Sequence, residues 1–164
     1  MNTIVKIISP KIDLNRFFDG TDPSLVIKDL AEIGNIDYRD AVYIYPEGIL
    51  PSINLNEIQD YSSVFGNYFQ NNHKIIVGIT RYKESEIFNS MALLDNDLKL
   101  ISVYDKNKLV PFGEYLPFEK FLKNYGFKKI TQGYQSFSSA SERDLMKMND
   151  TKFLPLICLS LIHI

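Results

Sequence analysis

Three residues with reactive side chains stand where predicted strands end: Glu47, Lys106 and Cys158. Each follows a run of apolar, β-branched or aromatic residues, and Cys158 is the only cysteine of the chain. A thiolate is a strong nucleophile that can carry an acyl group as a thioester, which divides one difficult transfer into two easier ones. A carboxylate can accept the thiol proton, and an ammonium in a dry pocket can stabilise the oxyanion. The three residue types therefore predict a catalytic trio for acyl transfer.

The loop after Lys106 carries a second carboxylate, Glu114. Residues 106–117 read Lys-Asn-Lys-Leu-Val-Pro-Phe-Gly-Glu-Tyr-Leu-Pro, and the prolines and the glycine interrupt regular secondary structure. Such a segment is more typical of a site than of core packing. Taken singly, each residue has a simpler explanation, because lone cysteines are commonly buried apolar residues and charged loop residues are commonly solvated. The hypothesis of a site depends on their combination.

The runs before these residues predict an α/β fold. Strands and helices alternate as in a largely parallel sheet: a buried strand over Val5–Pro10, a helix beginning at Asp22-Pro23, a strand over Ala41–Tyr45, a helix over Leu55–Phe69 and a strand over Lys74–Thr80. In the helix that begins at Asp22, the spacing places Val26, Leu30 and Ile33 on one stripe.

Two hairpins are predicted beyond Thr80. Ile87–Leu94 and Leu98–Tyr104 flank the turn-forming triplet Asp-Asn-Asp at 95–97, and Leu145–Met148 and Lys152–Cys158 flank Asn-Asp-Thr at 149–151. Between the hairpins, the sequence predicts a short helix over Pro117–Asn124 and a long surface loop over Gly126–Arg143.

The composition excludes several classes of function. The chain has 164 residues, 45% hydrophobic and 23% charged, which fits one globular domain. A net charge of -2 and the lack of a basic cluster argue against nucleic acid. We expect no membrane span and no signal peptide, because no apolar stretch approaches about 20 residues. No metal or other cofactor is expected, since His73 and His163 lack partners at metal-ligand spacing. A lone cysteine leaves the redox compartment open.

Three segments together resemble the nitrilase, or carbon–nitrogen hydrolase, superfamily. They are Tyr-Pro-Glu-Gly-Ile-Leu-Pro at 45–51, the block at 104–117, and Leu-Ile-Cys at 156–158, in the order and approximate spacing of that superfamily. More narrowly, Lys-x-x-Leu-Val-Pro-Phe-Gly-Glu-x-x-Pro resembles the apolipoprotein N-acyltransferase branch. The resemblance implies an α-β-β-α sandwich in which Glu47 is the general base, Lys106 stabilises the transition state, Cys158 is the nucleophile and Glu114 supports the site.

The same resemblance implies the substrates. The acyl donor would be a phospholipid, and the acceptor would be the free amine of an S-diacylglyceryl cysteine at the N-terminus of an apolipoprotein. In that branch a bundle of transmembrane helices holds the catalytic domain on the periplasmic face of the bacterial inner membrane. This chain shows no such helices, so a cytoplasmic location is equally open.

The resemblance extends from about Val5 to Cys158, so residues 1–164 are expected to form a partial, C-terminally incomplete catalytic domain. After the cysteine the branch pattern expects Tyr-Glu and further strands and helices, whereas this chain reads Leu-Ser-Leu-Ile-His-Ile over Leu159–Ile164. Exposed sheet edges promote association, so we expect this chain to be aggregation-prone. We also expect it to be without turnover, because it has no transmembrane helix to hold a lipid donor at the bilayer surface.

Two alternatives stay open at this point. The first is a soluble nitrilase-type amidase, which would use the same trio with water as the acceptor; the Leu-Val-Pro-Phe-Gly-Glu block argues against it. The second is a catalytically inactive remnant or interaction module, which the absence of the expected C-terminal continuation favours.

Overall fold

A computed structural model describes residues 3–11, 20, 22–37, 39–50, 53–118 and 136–157. The elements are β1 (Ile4–Ile7), α1 (Pro23–Gly34), β2 (Ala41–Glu47), a 3₁₀ turn (Ile58–Tyr61), α2 (Ser62–Gly66), β3 (His73–Lys83), β4 (Glu86–Asp95), β5 (Leu100–Asp105), β6 (Met146–Met148) and β7 (Thr151–Phe153). Strands β1 to β5 form one sheet in sequence order, and β6 and β7 form a separate pair. The first three strands run parallel, and β4 and β5 are antiparallel to their neighbours. The predicted α/β class is confirmed.

Helix α1 begins where the sequence predicts. The Asp22 side chain accepts a hydrogen bond from the Ser24 N–H at 2.9 Å, and Pro23 takes the first helical position, where its missing N–H costs nothing. The buried face comprises Val26, Ile27, Leu30, Ala31 and Gly34. Ile33, which was expected on the buried stripe, is exposed, because the buried face extends from Val26 and Leu30 toward Ile27 and Ala31, on the side away from Ile33.

The second helix is much shorter than predicted. Instead of one helix over Leu55–Phe69, the chain forms a bridge between Asn54 and Thr80, then the 3₁₀ turn and the five-residue α2. The Asn54 side chain accepts hydrogen bonds from the N–H groups of Asn56 and Glu57. These bonds follow the N-cap pattern that also begins α1, but residues 55–57 form a turn that leads into the 3₁₀ turn, and not an α-helix.

Strand β1 lies at the edge of the sheet. The prediction of a fully buried strand over Val5–Pro10 is wrong, because Val5 and Ile7 are 56% and 77% exposed. Alternate residues face opposite sides of a strand, and only the side that carries Ile4 and Ile8 packs on the core.

The second predicted hairpin forms, but β7 ends early. Residues 154–157 leave the regular strand, and Pro155 lacks the N–H that a longer ladder would need. The strand predicted over Lys152–Cys158 is therefore wrong over residues 154–157. The described residues 136–143 have no regular structure, as the loop prediction requires. Cys158, residues 119–124 of the predicted helix and residues 126–135 of the predicted loop lie outside the described residues.

The five-stranded sheet buries a core on each face. On the helix face, Tyr43, Ile75, Val77 and Ala92 pack with α1 and with Phe65 of α2. On the opposite, hairpin face, the buried cluster comprises Val42, Ile76, Leu93, Tyr104, Met146 and Ile157. The described layers therefore run helix, sheet, second sheet, which are three of the four layers of the expected α-β-β-α sandwich.

Candidate active site

Glu47 is the last residue of β2, and the pairing of that strand with β3 is irregular just before it. The register between β2 and β3 shifts between Tyr45 and Glu47, at Pro46, which has no N–H to give to the ladder. Gly48 then turns the chain with a φ of 68°. Glu47 faces Gly78, where a Cβ would lie only 2.7 Å from the Glu47 Cα. A glycine at this position of β3 is thus required for the close approach of the backbone that carries Glu47.

Lys106 follows β5 directly and is fully buried. Its backbone N–H donates to the Asn89 carbonyl at 2.9 Å, which fixes it beside β4. Its ammonium lies 2.8 Å from Glu114 Oε2, an ion pair whose angles fall outside those of a hydrogen bond. Within the described part of the chain, the ammonium therefore has no hydrogen-bond acceptor in good geometry. A buried ammonium with unused donors is suited to receive a developing oxyanion.

Glu114 is buried at the centre of the predicted loop. The Val110 N–H donates to Glu114 Oε2 at 2.8 Å, and the Glu114 N–H donates to the Val110 carbonyl at the same distance. The Phe112 N–H donates to the Tyr115 carbonyl and closes the turn. The loop therefore wraps around the carboxylate that pairs with Lys106.

Asn89, in β4, connects the two carboxylates, and sequence reasoning missed it. Its side-chain nitrogen donates to Glu47 Oε1 at 2.6 Å and to Glu114 Oε1 at 2.7 Å. Asn89 is itself buried. The available signal was an amide between the apolar residues of a predicted strand, since a buried polar group in a strand needs a partner.

A short segment, residues 137–140, holds the backbone of the site from outside. The Phe137 N–H donates to the Glu114 carbonyl at 2.8 Å, and the Ala140 N–H donates to the Lys106 carbonyl at 3.1 Å. Between them, the Ser138 N–H donates to the Ile87 carbonyl at 2.7 Å. Segment 137–140 therefore fixes the position of the loop that carries Lys106 and Glu114 relative to β4.

The charges of Asp105 and Lys106 are separated by the sheet. Alternation along β5 directs Asp105 to the helix face, where it accepts from Arg81 Nη1 at 2.7 Å and from Ser90 Oγ at 2.6 Å. Its carboxylate is neutralised there, away from Lys106. The described site thus holds two carboxylates and one ammonium.

The described part of the chain contains no group of three or more His, Cys, Asp or Glu residues that could hold a metal ion. His73 is buried, with Nδ1 accepting from the Gln70 N–H at 3.0 Å and Nε2 3.1 Å from the Arg39 carbonyl, as in a satisfied core histidine. None of the described helices has the length and apolar character needed to cross a bilayer.

The structure brings Glu47, Glu114 and Lys106 together. Asn89 links the two carboxylates through hydrogen bonds of 2.6 and 2.7 Å, and Glu114 contacts Lys106 directly at 2.8 Å. Cys158 lies outside the described residues. The residue before it, Ile157, is buried on the hairpin face of the sheet, the face to which alternation along β4 directs Asn89.

Comparisons with known proteins identify relatives. Residues 66–163 match the family described as carbon–nitrogen hydrolase. A protein named apolipoprotein N-acyltransferase from Rhizobium rhizogenes is 29% identical over 172 residues, which cover 97% of this chain and 32% of that protein. A protein of the same name from Brucella suis is 32% identical over 127 residues, which cover 73% of this chain and 24% of that protein. This chain spans about a third, or less, of the length of these curated relatives.

A solved structure of a carbon–nitrogen hydrolase superfamily protein from Xanthomonas campestris is also similar. It is 16% identical, with a TM-score of 0.49 over 86% of this chain and 49% of that one.

Proposed function

This chain belongs to the carbon–nitrogen hydrolase family, and on that premise we propose that it carries the catalytic residues of an N-acyltransferase that works through a cysteine thioester. The resemblance to proteins named apolipoprotein N-acyltransferase supports a phospholipid as acyl donor and the N-terminal amine of a diacylglyceryl-cysteine lipoprotein as acceptor. The proposal includes a place at the periplasmic face of the bacterial inner membrane. The observation that carries it is the linked set Glu47, Asn89, Glu114 and Lys106.

The two carboxylates differ in how many partners they have. Glu114 is buried and accepts from Asn89 and Val110 while pairing with Lys106, so each of its oxygens already has a partner. Glu47 is exposed, and within the described residues only Asn89 binds it, through Oε1. Glu47 Oε2 is therefore the proton acceptor in the proposed mechanism, and Glu114 holds Lys106.

In the first half of the reaction, Glu47 Oε2 takes the proton of the Cys158 thiol while Sγ bonds to the carbonyl carbon of the donor ester. The carbonyl electron pair moves onto oxygen, and the Lys106 ammonium stabilises that oxyanion. When the carbonyl re-forms, the ester C–O bond breaks. The departing alkoxide takes the proton from Glu47 and leaves as the lysophospholipid alcohol, so that the acyl group remains as a thioester.

In the second half, the acceptor amine attacks the thioester carbon and gives its proton to Glu47. Collapse of the second oxyanion breaks the C–S bond, and the thiolate of Cys158 recovers a proton from Glu47. The products are an amide and the original enzyme, so that no further cofactor enters the balance.

The test is intact-mass spectrometry of the chain after incubation with a phospholipid of defined acyl composition. The proposed function predicts a hydroxylamine-sensitive adduct on Cys158 that transfers to the amine of a diacylated lipopeptide, whereas the sequence-based expectation of a chain without turnover predicts no adduct. Release of free fatty acid instead of amide would favour the amidase alternative. The absence of any adduct in the parent protein would favour the inactive remnant.

A further inference from the structure

One amide nitrogen lies between the two carboxylates of the site. Asn89 Nδ2 is 2.6 Å from Glu47 Oε1 and 2.7 Å from Glu114 Oε1. A primary amide nitrogen carries two N–H bonds and no lone pair for acceptance, so each N–H is committed to one carboxylate. Both Oε1 atoms are therefore acceptors of hydrogen bonds from the same nitrogen.

Burying the Asn89 amide costs free energy unless both of its hydrogen bonds form. Asn89 is 95% buried, and buried donors without acceptors destabilise a fold. Conversely, two carboxylates within reach of one nitrogen repel each other when no donor stands between them. The Asn89 side chain satisfies both requirements at once.

We propose that Asn89 is a positioning residue that makes Glu47, rather than Glu114, the base of the site. By holding Oε1, its amide fixes the rotation of the Glu47 carboxylate and leaves Oε2 as the free oxygen. By holding Glu114 Oε1 with its second N–H, it keeps Glu47 at a constant distance from the Glu114–Lys106 pair. This inference deepens the proposed function and rests on it for the identity of the reaction.

The first experiment does not depend on activity. The side-chain NH₂ group of Asn89 is observed by ¹⁵N NMR in the parent and in Glu47→Gln. Replacing the carboxylate by a neutral amide weakens one of the two hydrogen bonds, so one Asn89 proton resonance should move upfield while its geminal partner moves much less. Asn56, whose Nδ2 donates to the Tyr82 carbonyl at the surface, serves as an internal control that should not move. Two unmoved Asn89 resonances would overturn the proposal.

The second experiment measures the rate of Cys158 acylation against pH. Asn89→Leu keeps the volume of the side chain and removes both donors, whereas Asn89→Gln keeps an NH₂ group. We expect Asn89→Leu to slow acylation about 100-fold, the effect of misplacing a reacting group. The acidic limb of its pH–rate profile should move to higher pH, because a carboxylate that loses a donor binds its proton more readily. Asn89→Gln should recover part of the rate.

The matched control is Ser90→Ala, the next residue of β4, which loses one hydrogen bond to Asp105 on the helix face. It should leave the pH profile in place. An unchanged rate and profile in Asn89→Leu, or an equal shift in Ser90→Ala, would contradict the proposal. If the parent itself is not acylated, the proposed function fails, and the NMR experiment still decides the role of Asn89. The NMR experiment also decides the role of Asn89 if the Asn89→Leu variant does not fold.

Discussion

The helix face and the hairpin face of the five-stranded sheet bury different kinds of side chain. The helix face packs apolar and aromatic residues against α1 and α2, with the Tyr45 hydroxyl donating to the Leu30 carbonyl at 3.1 Å. The hairpin face has a smaller apolar cluster around Leu93 and Tyr104. Alternation along β4 directs Asn89, at the centre of the polar site, to this same face. Stability is concentrated on one face, and the proposed chemistry on the other.

The same strands supply both faces through their alternation. In β4, the side chain of Asn89 donates to Glu47, while that of its neighbour Ser90 donates to Asp105 on the opposite face. A slip of one residue in the register would exchange the two sets of side chains. The register of β4 against β5 therefore places Asn89 beside Lys106, and it also keeps apolar side chains of β4 on the helix face.

The largest effect is expected from Glu47→Gln, which removes the proton acceptor without changing the shape of the side chain. Thioester formation on Cys158, followed by intact mass, should fall by about 100-fold or more, the usual contribution of a general base. Thermal unfolding should change little, because Glu47 is exposed. Normal thioester accumulation in this variant would mean that the base lies elsewhere.

The next effect is expected from Gly78→Ala, which changes the approach of β3 to Glu47. The new Cβ would meet the Glu47 Cα at 2.7 Å, so the backbone that carries the base must move. A displacement of about 1 Å can cost about 100-fold in rate, and we expect a loss up to that size.

Its control is Gly66→Ala in α2, where a Cβ meets nothing within 4 Å. That substitution should leave the acylation rate unchanged and stabilise the fold slightly, by about 0.5–1 kcal/mol. If the two alanine variants acylate Cys158 equally fast, the close approach at Gly78 does not position Glu47.

On the helix face, Leu30→Ala should affect stability and not chemistry. Leu30 is buried between α1 and the sheet, so its truncation should lower the free energy of unfolding by about 2–5 kcal/mol in urea titrations. Leu25→Ala, at an exposed position of the same helix, should change it by no more than about 0.5 kcal/mol. An altered pH–rate profile of acylation in folded Leu30→Ala would contradict the division between the two faces.

The smallest effect concerns alkaline pH. Burial, with a smaller contribution from Tyr43, raises the pKa of the Tyr45 hydroxyl well above its usual range. The folded state keeps this proton above about pH 10, where the unfolded chain loses it. The contribution of the Tyr45 hydroxyl to the free energy of unfolding is full below about pH 10. It falls as pH rises, by at most about 1.4 kcal/mol per pH unit. Tyr45→Phe should therefore lose stability less steeply between pH 10 and 11; equal slopes would contradict this.

Local sequence signals predicted the parts of the fold that local chemistry determines. The Asp22 cap with Pro23, and the strand that ends at Glu47, follow from capping and from residue preference. The length of the second helix could not be predicted, because the three-residue spacing of Leu55 and Ile58 fits a 3₁₀ turn as well as an α-helix.

The sequence alone could single out three residues of the candidate site, but not the hydrogen bonds that link them. Glu47, Glu114 and Lys106 stand out by type and by their positions at strand ends or in a Pro/Gly-rich loop. Asn89 is a single polar residue in an apolar run, and its partners lie 42 and 25 positions away in the chain. Only the pairing of β4 with β3 and β5 brings them together, and that pairing is a property of the whole sheet. A glycine within a strand, such as Gly78, indicates that another stretch of backbone lies close to it. The sequence does not indicate that this stretch is the one that carries Glu47.

The most direct test of the account is the rate at which iodoacetamide alkylates Cys158. The chain has no other cysteine, so the reading is unambiguous. If Lys106 and Cys158 share one site, the ammonium favours the thiolate, and Lys106→Ala, shown to be folded by circular dichroism, should react about tenfold more slowly than the parent. Lys147→Ala, an exposed lysine of β6, should react at the parent rate. Equal rates in parent and Lys106→Ala would contradict the shared site.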